Sequence, residues 1–273
     1  MLGLAAVPMS CVRMRSVLVL AELFALAGCA LLPEDDDLLA STPIVRELDL
    51  EDSDILEVAR FSRLRAGAPL PAEWLGWGLN SGKRPTEYRL VNGAAGTVLQ
   101  ADAEQAGTGL YRRIRVDPGR QPVLEWSWRV EKLIPGADLR KGSREDSAAR
   151  LVISFHGDPT KLDFEDRARL RLAKVFAGEP LPYAMLVYVW SNQIAVEATL
   201  PSPQIDRIRM VVVESGNARL GQWLTYRRNV LEDYRRAFGA DPGDIVAVGV
   251  LTDSDNTQQS ARALYGDITL RAR

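Results

Sequence analysis

The segment Thr252-Asp-Ser-Asp-Asn-Thr257 follows an apolar run and brings Asp253, Asp255 and Asn256 close together along the chain. Several side-chain oxygens in one short loop are what a hard cation such as Ca2+ requires. Asp267, in Tyr265-Gly-Asp-Ile268, is a further carboxylate able to face the same place, so Asp253, Asp255 and Asp267 are the candidate metal ligands. The loop is not an EF-hand: its sixth position is not Gly, and Leu264 occupies the twelfth, where a bidentate Glu belongs. A turn in which Asp and Asn side chains cap backbone amides accounts for the same residues without a cation. Paired carboxylates also suit acid and base roles on a glycosidic bond, with Asp253, Asp255 or Asp267 in those roles and His156 as helper. His156 ends a strand-like run, however, where an imidazole is more often a hydrogen-bonded structural or surface group.

A second set of residues suits binding. In Trp190-Ser-Asn-Gln193 an apolar run ends in polar amides, so Trp190 offers a stacking face and Asn192 a donor and an acceptor at a cleft mouth. The same residues would equally make a turn. Arg227 and Arg228 precede a helical pattern and would serve an anion there, or pair with Asp233. The expected ligand-binding set is therefore Trp190, Asn192, Arg228, Asp255, Asn256 and Tyr265. Trp126 and Trp128, two residues apart, fit a sandwich core.

The elements that must position these residues read as strands. In Val123 to Val130, Leu124, Trp126, Trp128 and Val130 alternate with Glu125, Ser127 and Arg129. Arg150 to His156 repeats the alternation, and further strand-like runs are Tyr88–Val91, Thr97–Ala101, Gly109–Val116, Ala184–Trp190, Arg207–Glu214, Ile245–Thr252 and Leu264–Leu270. Two helices interrupt them. One covers 163–177, with Phe164, Ala168, Leu172, Val175 and Phe176 on one stripe; the other covers 229–238, with an Asn229 cap, Glu232 three residues on and Gly239 as a stop. The expected fold is all-β dominated, a β-sandwich or jelly roll with two inserted helices, forming a single domain over 44–273.

With 273 residues, 34 Lys plus Arg against 36 Asp plus Glu, and one His, the chain lacks the basic footprint of a nucleic-acid binder and any multi-imidazole centre. Nor does it carry a phosphate-cradling loop, a G-x-S-x-G elbow or an H-E-x-x-H motif.

The N-terminus addresses compartment. Arg13 and Arg15 precede the apolar run from Ser16 to Ala27, which is too short to span a bilayer, and Leu26-Ala-Gly-Cys29 resembles the bacterial lipobox. Glu22 interrupts the apolar run, and the stretch before Arg13 is long unless Met14, rather than Met1, is the start. That resemblance implies a signal peptide over 1–28, an acylated Cys29 and, because Ala30 rather than Asp follows, retention at the outer membrane facing the periplasm. Residues 29–43 then form the anchor and an acidic tether. Cleavage removes Arg13, Arg15 and Glu22, leaving 32 basic and 35 acidic residues, a net charge of −3; Cys11 leaves too, so no free thiol remains.

Taken together, Gly76-Trp77, Gly107-Thr-Gly-Leu-Tyr111, Trp126-Ser-Trp128, Asp146-Ser-Ala-Ala-Arg150 and Tyr188-Val-Trp190 form a recognisable pattern. Arg228-Asn-Val230, Asp233-Tyr234, Asp253-Ser-Asp-Asn-Thr257 and Tyr265-Gly-Asp-Ile268 continue it. From about Phe61 to Leu270 the chain resembles a bacterial envelope family known as domain-of-unknown-function family 3047, which implies no activity. More distantly, the layout resembles carbohydrate-binding-module, galactose-binding-like jelly rolls; fold alone does not fix function. The leading expectation is a lipid-anchored periplasmic binding module for a glycan or envelope polysaccharide. The alternatives are a hydrolase or lyase acting on an envelope polymer through Asp carboxylates, and an assembly or scaffolding lipoprotein with protein partners.

Overall fold

The computed structural model describes residues 55–78, 82–162 and 182–272, all within a compact unit from Pro43 to Arg273. The signal segment, Cys29, the acidic tether and the helix expected over 163–177 lie outside the described residues.

Thirteen strands form two sheets: β1 (Ile55–Ala59), β2 (Trp74–Trp77), β3 (Glu87–Gly93), β4 (Gly96–Glu104), β5 (Gly109–Val116), β6 (Val123–Val130) and β7 (Ser147–Phe155), then β8 (Ala184–Ser191), β9 (Thr199–Pro201), β10 (Ile208–Ser215), β11 (Leu224–Asn229), β12 (Ile245–Asp253) and β13 (Ser260–Arg271). The six-stranded sheet has the order β11-β6-β13-β4-β3, with β1 also paired to β13. The seven-stranded sheet has the order β2-β5-β12-β7-β8-β10-β9. Among the described strands, pairing is antiparallel except between β8 and β10. The result is a β-sandwich of the jelly-roll type.

Alternation decides which side chains enter. On β6, Leu124, Trp126, Trp128 and Val130 are buried while Glu125, Ser127 and Arg129 point outward. Trp126 stacks on Tyr188 across the sandwich, with ring centroids 4.9 Å apart, and on Tyr226 at 5.2 Å. Stacked aromatics of this kind add to the area they remove from water.

The outer faces of the two sheets differ. β8 is buried along its whole length and β7 at all but one residue, as befits strands covered on both sides. Val152, Met185, Val187, Val189, Met210 and Val212 form a second apolar cluster with Leu139 from the β6–β7 connection, separate from the main core. The six-stranded sheet instead turns polar side chains outward: Glu87 and Arg89 on β3, Gln100 and Asp102 on β4, Arg262 on β13 and Arg129 on β6.

The helix α1 (Val230–Phe238) forms where the sequence predicts one. Asn229 accepts the Glu232 amide at 3.1 Å, and Gly239 ends the helix at φ 68°. Tyr234 seats it, packing on Phe155 at 4.6 Å and Phe238 at 4.3 Å. Trp223–Asn229, read from sequence as the approach to a helix, is mostly the edge strand β11. Strands β1, β2 and β9 also escaped the sequence reading; all three are five residues or shorter.

Candidate functional site

Three elements meet where β12 ends. Asp146, just before β7, accepts the Asn256 amide at 3.2 Å, the Thr257 amide at 2.7 Å and the Thr257 hydroxyl. Asp253 accepts the Ser147 amide at 3.0 Å and is gripped by Arg150 through Nε and Nη2, each at 3.2 Å. Arg150 is itself buried and also donates to the Glu145 carbonyl. Asp255 pairs with Lys83 at 2.8 Å. A Cβ on Gly107 would lie 2.2 Å from Asp255 Oδ1, so any larger residue there would displace the Asp255 carboxylate.

The carboxylates of Asp146, Asp253 and Asp255 each offer an oxygen within 4.8 Å of the others, close enough to share a cation. Arg150 and Lys83 already neutralise two of them, and Asp146 is spent on the turn. Burial, with Asp146 adding to it against Arg150, pushes the Asp253 carboxyl up to about 6. Burial likewise raises Glu145. The cluster thus fastens the turn to β7, the amides of the turn being capped by Asp146 from outside it rather than by its own Asp and Asn side chains, and it joins the ends of two adjacent strands.

The other expected site residues are dispersed. Asp267 is not part of this cluster: β13 belongs to the other sheet, and there Asp267 accepts the Ser62 amide at 2.9 Å and the Ser62 hydroxyl at 2.6 Å. Trp190 lies in the core, 2% exposed, its indole N–H donating to the Gly216 carbonyl at 3.0 Å, so it offers no stacking face. Tyr265 is equally buried, its hydroxyl between Thr252 Oγ1 and the Leu251 carbonyl, each at 2.9 Å. Asn192 spends its amide on the β6–β7 connection, donating to the Ile134 carbonyl at 2.7 Å. Arg228 is held by Asp233 at 2.8 and 2.9 Å and by Glu197 at 2.6 and 3.1 Å, the ion-pair alternative to anion binding. His156 is exposed at the end of β7, its backbone amide bonded to the Asp244 carbonyl at 2.8 Å. Asp253, Asp255 and Asn256 do come together, with the Tyr265 hydroxyl behind them on Thr252, whereas the Trp190 ring is enclosed in the core and Arg228 is held by Asp233 and Glu197.

A concavity missed in the sequence lies on the outer face of the six-stranded sheet. It measures about 650 Å³ and is lined by Arg84, Arg89, Lys132 and Arg262 and by Glu87, Asp102, Glu104 and Glu131, four cations against four anions. At its centre Asp102 binds Arg89 at 2.7 Å, Gln100 at 2.6 Å and Arg262. Partial burial pushes against ionisation there, but Arg262, Gln100 and Arg89 hold the Asp102 carboxyl below its ordinary range. The available signal was the outward half of each alternation: Glu87 and Arg89, Gln100 and Asp102, and Arg262.

A β-sandwich with one covered and one open face defines the class of protein. Within that class the chain belongs to the family described as Protein of unknown function (DUF3047), whose model matches residues 72–269. No curated protein matches the sequence. Similar solved structures include the xyloglucanase domain of NopAA, a type three effector from Sinorhizobium fredii, in complex with cellobiose: 8% identity, TM-score 0.39, 76% of this chain and 96% of that chain. The xylan-binding module CBM15 is 12% identical at TM-score 0.32, over 80% of this chain and 95% of that one. Endoglucanase 3 of Trichoderma harzianum, from family GH12, is 7% identical at TM-score 0.40, over 81% and 99%.

Proposed function

We propose that this protein is a binding module for a glycan, anchored through an acylated Cys29 to the outer membrane and facing the periplasm, with the open face of the six-stranded sheet as its binding surface. The observation that carries the reading is the groove around Asp102. Asp102 is fixed between Arg89 and Arg262, yet carboxylate lone pairs and guanidinium N–H groups around it remain to accept from and donate to hydroxyls. A polyhydroxylated ligand needs that alternation of donors and acceptors on a pre-positioned surface. The residues expected from sequence to line the cleft are replaced in this role by Arg89, Gln100, Asp102 and Arg262.

Calorimetric titration of the full chain in detergent against a saccharide panel tests the reading. Binding should occur, and Asp102→Ala should weaken it at least tenfold, about 1.4 kcal/mol. No binding to any saccharide, or unchanged affinity in the variant, would refute it. The anchor is checked separately: Cys29→Ser should abolish incorporation of labelled fatty acid and move the protein into the soluble fraction.

A further inference from the structure

Trp223 stands apart from the other described tryptophans. It is 36% exposed, one of three large hydrophobic residues so exposed among those described. Its neighbour Leu224 points inward opposite Trp128, so Trp223 lies on the outer side, one step beyond that pair and beside Arg129. Gly266 and Ser127 provide the floor beneath it: a Cβ on Gly266 would sit 3.6 Å from Trp223 Cζ3 and 2.2 Å from Ser127 Oγ. With no side chain at 266, the indole can reach over the backbone of the sheet.

The same face carries the groove. Register places Arg89 opposite Gln100, Gln100 opposite Leu264 and Leu264 opposite Arg129, so one row crosses β3, β4, β13 and β6 towards Trp223 on the β11 side. Arg129 pairs with Glu131 of the groove wall at 3.0 Å, which makes the surface continuous. From β3 to β11 there are four strand spacings, about 19 Å. The row contains paired charges, an amide and an apolar side chain, and it ends in an exposed indole.

Resting on the glycan-binding reading above, we infer that the ligand is an uncharged, extended oligosaccharide of several units lying across the strands, with one end in the Asp102 groove and a sugar ring stacked on Trp223. An uncharged ligand matches a groove of four cations and four anions whose central members already pair. The apolar face of a pyranose ring matches an exposed indole. A monosaccharide or disaccharide would reach only one end of the surface.

The test is titration of the full chain in detergent with neutral glucan, xylan and mannan hexasaccharides and their disaccharides, and with polygalacturonate as the charged probe. The expected result is a hexasaccharide that binds at least tenfold more tightly than its disaccharide, with affinity insensitive to salt. Trp223→Ala should erase that chain-length advantage while leaving disaccharide binding within about twofold, and Trp223→Phe should retain most of it. Equal affinity for short and long chains, an unaffected Trp223→Ala, or preferential salt-sensitive binding of polygalacturonate would overturn the inference while leaving glycan binding standing. Absence of all saccharide binding would overturn both. Circular dichroism of each variant separates lost contact from lost fold.

Discussion

Asp253→Asn changes one atom of a buried carboxylate, and its consequence follows from the ionisation of the wild-type group. Burial and Asp146 raise the folded-state pKa of Asp253 from the ordinary 3.8 to about 6, even with Arg150 bound. A pKa raised on folding means that the native state holds the proton more tightly than the unfolded chain does. The stabilisation linked to this group is therefore fully present below about pH 3.8 and lost as pH rises through about 6. A shift of about two units corresponds to about 3 kcal/mol, and full burial leaves no solvent screening to discount. Asn keeps the acceptor for the Ser147 amide but cannot titrate. Urea denaturation followed by tryptophan fluorescence, with wild type and variant measured in parallel from pH 4 to 7.5, gives the difference directly. The variant should gain about 2.4 kcal/mol relative to wild type as pH rises across that window, the remainder falling below pH 4. Carboxylates such as Asp138, held at about 2 by Arg140, titrate lower and cancel between the two proteins. A difference independent of pH would refute the claim that burial, with Asp146 beside it, raises the Asp253 carboxyl against the pull of Arg150.

Two further substitutions test the frame. Gly249→Ala would put a Cβ 2.4 Å from the Leu110 carbonyl oxygen and 2.9 Å from Tyr111 Cβ, neither free to rotate away, so unfolding stability should fall by about 2–3 kcal/mol; an unchanged denaturation midpoint would mean that β5 and β12 are not this close. Asn229→Ala removes the acceptor for the Glu232 amide and should cost about 1 kcal/mol, whereas Asn229→Ser should recover most of it in the same measurement.

Where local chemistry determined the outcome, sequence reading succeeded. Val123–Val130 and Gly109–Val116 match β6 and β5 residue for residue, because alternation records a half-buried face. The α1 cap was legible because Asn229, Glu232 and Gly239 act within one turn of each other. Residues whose roles depend on distant partners were misplaced. Trp190 looked like the rim of a cleft because polar residues follow it; the Gly216 carbonyl that takes its indole N–H is 26 positions away. Nothing adjacent to Asp146 in the chain marks its role, because it secures the 253–257 turn from more than a hundred residues upstream. The Asp102 groove was hidden for a related reason. Arg89, Asp102 and Arg262 each look like an ordinary exposed charge, and only the lateral register of three strands makes them one surface.

The order in which the sheets are completed follows from their central strands. In the six-stranded sheet β13 separates the β3–β4 hairpin from the β6–β11 pair, and in the seven-stranded sheet β12 separates β2–β5 from β7, β8, β10 and β9. Both keystones are the last of the thirteen described strands to emerge from any N-terminus-first synthesis or export. Until then the two halves of each sheet present unpaired edges, which invite association with other chains. Vectorial synthesis therefore cannot build this sandwich progressively. The Asp102 surface, which needs β13 to bring Arg262 beside β4, comes into being only when β13 has joined the sheet.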